Sequence, residues 1–93
     1  MSLQFDFDPA KSAGNKLKHG LDFVEAQALW LGKRIEFPAD RVSGEIRYAV
    51  IGTIKGIHHV AIITYRGSIV RIISARRATP KEGAYYDQQI KNT

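Results

Sequence analysis

Two breaks of only two residues, Lys55-Gly56 and Gly67-Ser68, separate three strand-like runs, Ile46 to Ile54, Ile57 to Arg66 and Ile69 to Arg76. That spacing leaves the second half of the chain few ways to fold. Two-residue loops join antiparallel neighbours and pin their register. With Ile54 facing Ile57 and Arg66 facing Ile69, Arg47 falls opposite Thr64 and Thr64 opposite Arg71, a transverse row across three strands; Glu45 lies beside Arg66 one step along.

Side chains alternate along a strand, so the register also assigns faces. An inner face collects Ile46, Tyr48, Val50, Ile54, Ile57, Ala61, Ile63, Tyr65, Val70 and Ile72, with His59, Ser74 and Arg76 toward one end. The outer face mixes Ala49, Ile51, Val60, Ile62, Ile73 and Ala75 with Glu45, Arg47, Thr53, His58, Thr64, Arg66, Arg71 and Arg77. The inner set reads as core. The outer one reads as half wet and positive, either a solvated surface or a place where arginines converge on an anion.

The first half is helical and well punctuated. Gln4 to Asp6 suits a short edge strand, and Asp8-Pro9 starts a helix that runs to about His19 and stops at Gly20. Asp22 with Glu25 makes a capping-box-like start for a second helix, whose Phe23, Ala26, Leu29 and Trp30 form an apolar stripe for the inner face. Gly32 ends it, Arg34 to Phe37 reads as a strand, and Pro38 to Gly44 as a polar loop. Thr79-Pro80-Lys81-Glu82 opens a C-terminal helix carrying Tyr85 and Tyr86. The expected fold is α+β: two N-terminal helices on one face of an antiparallel sheet of four to five strands, plus a C-terminal helix.

Ninety-three residues, 44% of them hydrophobic, suffice for one domain, residues 1–93, burying roughly 60–65% of the unfolded surface. Fourteen Lys and Arg against nine Asp and Glu give a net charge of +5, which favours a polyanion, an acidic protein partner or an anionic membrane surface, nucleic acid first. The absence of cysteine excludes disulfides and thiolate chemistry, and no apolar run reaches the roughly 20 residues of a membrane helix. Met1 to Leu3 lacks the features of a signal peptide, so a cytoplasmic location is expected.

Phe7-Asp8-Pro9, Asn15 with Lys18-His19-Gly20, Gly44-Glu45-x-Arg47, Thr64-x-Arg66-Gly67, Arg71-Ile72-Ile73-Ser74-Ala75-Arg76-x-Ala78, and Glu82 with Tyr85 or Tyr86 follow in an order that resembles the BrnT family over nearly the whole chain. The resemblance implies a toxin of a bacterial type II toxin-antitoxin pair, a ribonuclease similar in fold to RelE and ParE toxins. It also implies neutralisation by a ribbon-helix-helix antitoxin, BrnA, in a two-plus-two heterotetramer that binds its own operator DNA through the antitoxin.

Residue types argue the chemistry independently. Metal-free RNA cleavage needs an acceptor for the 2′-hydroxyl proton, cations to hold the phosphate as charge builds, and a proton for the leaving 5′-oxygen. Arginine grips two phosphate oxygens at once, so Arg47, Arg66 and Arg71 are the candidate cradle. His19 is the best titratable candidate, or a cap on its helix C-terminus. Glu45 is the alternative base, or a cross-strand ion pair for Arg66. Lys18 and Arg77 are candidate phosphate contacts. Either Tyr85 or Tyr86 suits stacking on a base, while the other packs inward. Arg76, expected beside His59, reads as an anchor for the C-terminal helix, and Trp30 as core. His58 and His59 point to opposite faces and cannot share an ion, so neither metal nor cofactor is expected. Two other classes remain open: a noncatalytic nucleic-acid-binding module, and a basic surface that serves only to bind an acidic partner.

Overall fold

Both residues of the Lys55-Gly56 turn have positive φ, 52° and 77°, as do Ser43 and Gly44, 51° and 79°. That is the pattern of type I′ turns, whose twist matches the strands they join. The computed structural model describes residues 3–92, so Met1 and Ser2, on which the signal-peptide expectation rests, lie outside the described residues. In chain order come β1 (Phe5–Asp6), α1 (Pro9–His19), a 3₁₀ segment (Glu25–Leu31), β2 (Ile35–Val42), β3 (Glu45–Ile54), β4 (Ile57–Arg66), β5 (Ile69–Arg77) and α2 (Pro80–Lys91). One five-stranded sheet has the order β1-β5-β4-β3-β2. β1 runs parallel to β5; the other neighbours are antiparallel. The architecture is α+β.

Three expectations need correction. The expected loop from Pro38 belongs instead to β2, which continues to Val42 with a register shift between Pro38 and Asp40. An edge strand tolerates a proline and polar residues that a central strand would not. Secondly, the segment after Asp22 is 3₁₀ rather than α. Its capping contacts form as expected, with Asp22 Oδ1 accepting from the Val24 and Glu25 N–H groups. Ala26 and Leu29, three residues apart, then fall on one line of a helix with three residues per turn, Phe23 lies in the turn just before it, and all three are fully buried. Gly52 on β3 lets this segment approach; a Cβ there would stand 3.2 Å from Leu29 Cδ2.

The third correction concerns the faces. Ile62 pairs with Ser74 but Ile63 pairs with Ile72, so Ile73 is the extra residue of a bulge. Beyond it every side chain of β5 changes sides: Ala75 joins the inner core, Arg76 pairs with Val60 on the outer face, and Arg77 pairs with His59 on the inner one. The bulge is held by Asn15 of α1, whose Nδ2 donates to Ala75 O (2.8 Å) and Leu21 O (2.7 Å) while its Oδ1 accepts from Ala75 N (3.3 Å). The buried amide thus completes the edge of β5 where β1 stops.

Each face carries a core. Phe23, Ala26 and Leu29 pack on Val50, Ala61, Ile63, Val70, Ile72 and Ala75 inside. Outside, α2 lays Tyr86 on Ala49, Ile51 and Val60, so the outer face is not left wholly to cations. Arg76 grips Glu82 of α2 through two bonds of 2.7 and 2.9 Å, and Glu82 also accepts from Thr79 N in the expected capping box. The guanidinium beside it holds the Glu82 carboxyl down at about 2. Among the described residues no helix is long and apolar enough to cross a membrane.

Candidate nucleic-acid interface

Thr64 pairs with Arg71 across β4 and β5. The β3–β4 register, carried one step past Tyr48 and Ile63, sets Arg47 across from Thr64. Antiparallel alternation puts all three on the outer face, at the end of the sheet away from the 55–56 turn. Thr64 is buried, and its hydroxyl donates to Ile46 O at 3.0 Å. It separates the two arginines without adding charge.

The cations of this face are held to different degrees. Arg66 Nε lies 3.3 Å from Glu45 Oε2, and Arg71 pairs with Asp6, which β1 brings alongside it. Arg47 Nε is buried without a hydrogen-bond partner. Half-exposed ion pairs of this kind are weak, about 0–1 kcal/mol, and a phosphate offers a guanidinium the same bidentate grip as a carboxylate. Asp6 is the group that sequence reasoning missed, because a two-residue strand carries no signal of its neighbour.

One of the two tyrosines packs inward and the other does not. Tyr86 is buried against the His58 ring, centroids 5.3 Å apart, and its hydroxyl donates to Lys33 O at 2.9 Å. Tyr85 is 47% exposed and meets Phe37 edge-on, which leaves part of its surface open to a base.

His19 does not join the arginines. It ends α1 on the inner side of the sheet, lining a cleft of about 580 Å³ with Lys55, His59 and Arg77, at the opposite end of the strands from Arg47 and Arg71. Arg77 reaches this cleft because of the bulge. Lys18 is exposed on the last turn of α1. His58 and His59 do point apart, His58 to Asp87 of α2 (2.8 Å) and His59 into the cleft. Among the described residues no three His, Cys, Asp or Glu gather in a way that could hold a metal ion.

The outer face therefore presents a graded set of guanidinium donors beside two carboxylates, Glu45 and Asp6, an arrangement suited to gripping a phosphodiester and withdrawing a proton next to it. The family model described as the ribonuclease toxin, BrnT, of type II toxin-antitoxin systems matches residues 7–82. No curated protein matches the chain.

Proposed function

Since the chain belongs to the BrnT family of ribonuclease toxins of type II toxin-antitoxin systems, we propose that it is a metal-independent endoribonuclease whose site is the outer-face row of Arg47, Thr64 and Arg71. The observation that carries this placement is the alignment of Arg47 and Arg71 across Thr64, with Arg66 one step along and both Arg66 and Arg71 in partly exposed ion pairs. In this reading the scissile phosphate takes the places of Glu45 and Asp6 on Arg66 and Arg71. Glu45, released from Arg66, accepts the 2′-hydroxyl proton. The 2′-oxygen attacks phosphorus, the bond to the 5′-oxygen breaks, and solvent at this exposed face protonates the leaving oxygen. The products are a 2′,3′-cyclic phosphate and a 5′-hydroxyl. Guanidinium groups stabilise the charge that builds on the phosphorane, the task a metal performs elsewhere. Tyr85 is placed to stack on a neighbouring base. A RelE-like relation of helices and sheet fits the same face.

The antitoxin expected in such a pair is a BrnA-like ribbon-helix-helix protein in a two-plus-two complex, with operator DNA bound through the antitoxin and translation inhibited when the toxin is free. Incubation of the purified chain with single-stranded RNA in excess chelator is the test. Cleavage to 2′,3′-cyclic or 3′-phosphate ends is expected, and Arg71→Ala should lower turnover roughly 10²–10³-fold without moving the melting temperature. Loss of cleavage with chelator would overturn metal independence; parental turnover in a folded Arg71→Ala would remove the row from the site.

A further inference from the structure

The inner-side cleft has a composition that the outer row lacks. Its walls bring Arg77, Lys55 and His19 together over a floor that includes Leu21, Ile54 and Ile57. On the outer face Arg66, Arg71 and Arg76 are all paired with carboxylates. Among the described residues Arg77, Lys55 and His19 form no ion pair, although Lys55 stands near enough to Glu25 to help hold its carboxyl low. Glu25 is the one carboxylate among the lining residues, and Lys16 already holds it through both oxygens, at 2.8 and 3.0 Å.

His59 adds a second observation. It is nine-tenths buried, yet only one ring nitrogen is occupied: Nδ1 donates to Ile57 O at 2.8 Å. That bond sets the tautomer, and Nε2, without a protein partner, is the ring's free polar atom in the cleft. An imidazole so oriented accepts from a hydroxyl or amine when neutral and donates to a phosphate when charged. Cations and an imidazole around an apolar floor make a surface with two halves, one for an anion and one for a flat or aliphatic group. The cleft, about 580 Å³, admits a ligand of both parts.

We infer that this cleft is a binding site for a nucleoside phosphate, with the phosphate on Arg77, Lys55 and His19 and the nucleoside over Ile54 and Ile57, its hydroxyl or ring nitrogen meeting His59 Nε2. The inference stands apart from the outer-row reading, since it involves neither Arg47 nor Arg71. The same ligand chemistry is presented by a free mononucleotide and by a nucleotide within an RNA strand.

Titration of the full chain, followed by the ring signals of His19 and His59 in NMR spectra, tests it with 5′-AMP, adenosine, inorganic phosphate and an uncleavable 2′-O-methyl oligoribonucleotide. Both rings should shift with 5′-AMP at lower concentration than with phosphate or adenosine. Arg77→Ala, an exposed residue that the fold does not need, should weaken this at least about tenfold, the size of one charge-assisted contact. Lys11→Ala, which removes the same charge elsewhere on α1, should leave it within about twofold. Saturation by the oligonucleotide at lower concentration than 5′-AMP identifies RNA as the source; response to 5′-AMP alone identifies the free nucleotide. Silence of both rings toward both probes, equal affinity for inorganic phosphate and 5′-AMP, or equal weakening by Lys11→Ala and Arg77→Ala would overturn the inference.

Discussion

Replacing Glu82 with glutamine isolates one charge at the joint between the sheet and α2. Glutamine still serves as the third helical residue of a capping box, so its side-chain oxygen keeps the contact with Thr79 N and the ion pair with Arg76 alone is lost. The Arg76 guanidinium, chiefly, lowers the Glu82 carboxyl from 4.5 to about 2. At about 1.4 kcal/mol per pH unit that fall corresponds to a ceiling of roughly 3 kcal/mol. Arg76 and Glu82 side chains are 39% and 30% exposed, so solvent screening reduces the expected loss in Glu82→Gln to about 1–2 kcal/mol at pH 7. The sign follows from the lowered value. The contribution is complete above the unfolded-state value of 4.5 and fades as pH falls toward about 2. At pH 3 less than half of it should remain. Urea denaturation of parent and variant at pH 7, 5, 4 and 3 measures this directly. A difference below about 0.5 kcal/mol at pH 7, or one that stays constant down to pH 3, would refute the assignment of this ion pair as the anchor of α2.

Asn15→Ala strips three buried backbone groups of their partner and should destabilise by about 2–4 kcal/mol in urea melts, with loss of amide-exchange protection at Ala75. Leu29→Ala, at a fully buried position, should lower stability by about 2–5 kcal/mol by the same assay. Arg47→Lys keeps the charge but loses the fork, so RNA turnover should stay well below the parental rate, at most partly above that of Arg47→Ala, in single-turnover assays. Burial and then the hydrogen bonds to Glu36 push Tyr65 up to about 12, so a spectrophotometric alkaline titration should show a late-ionising tyrosine, and Glu36→Gln should bring it down.

Local chemistry determined much of this protein. Two-residue turns between strands of β-branched residues specify the hairpins, their register and the row of Arg47, Thr64 and Arg71. Asp8-Pro9 with Gly20, and Thr79 with Glu82, bound the two α-helices, because caps satisfy backbone groups within a few residues of the chain. The tertiary structure alone decided which side of the sheet the last residues of β5 face. One inserted residue at Ile73 reverses Ser74 to Arg77, and nothing nearby in the sequence marks it; Asn15, which bonds the backbone of Ala75 just beyond it, lies 60 residues from Ala75. Packing likewise chose 3₁₀ geometry over α for Glu25–Leu31, since three-residue spacing lines Phe23, Ala26 and Leu29 against the sheet over Gly52. It also sent α2 to the outer face, which gave Arg76 to Glu82 and left Arg77 to the cleft with His19 and His59. Short-range bonds are written in the order of residues, whereas the parity of a strand and the face a helix covers depend on partners that meet only when the chain has folded.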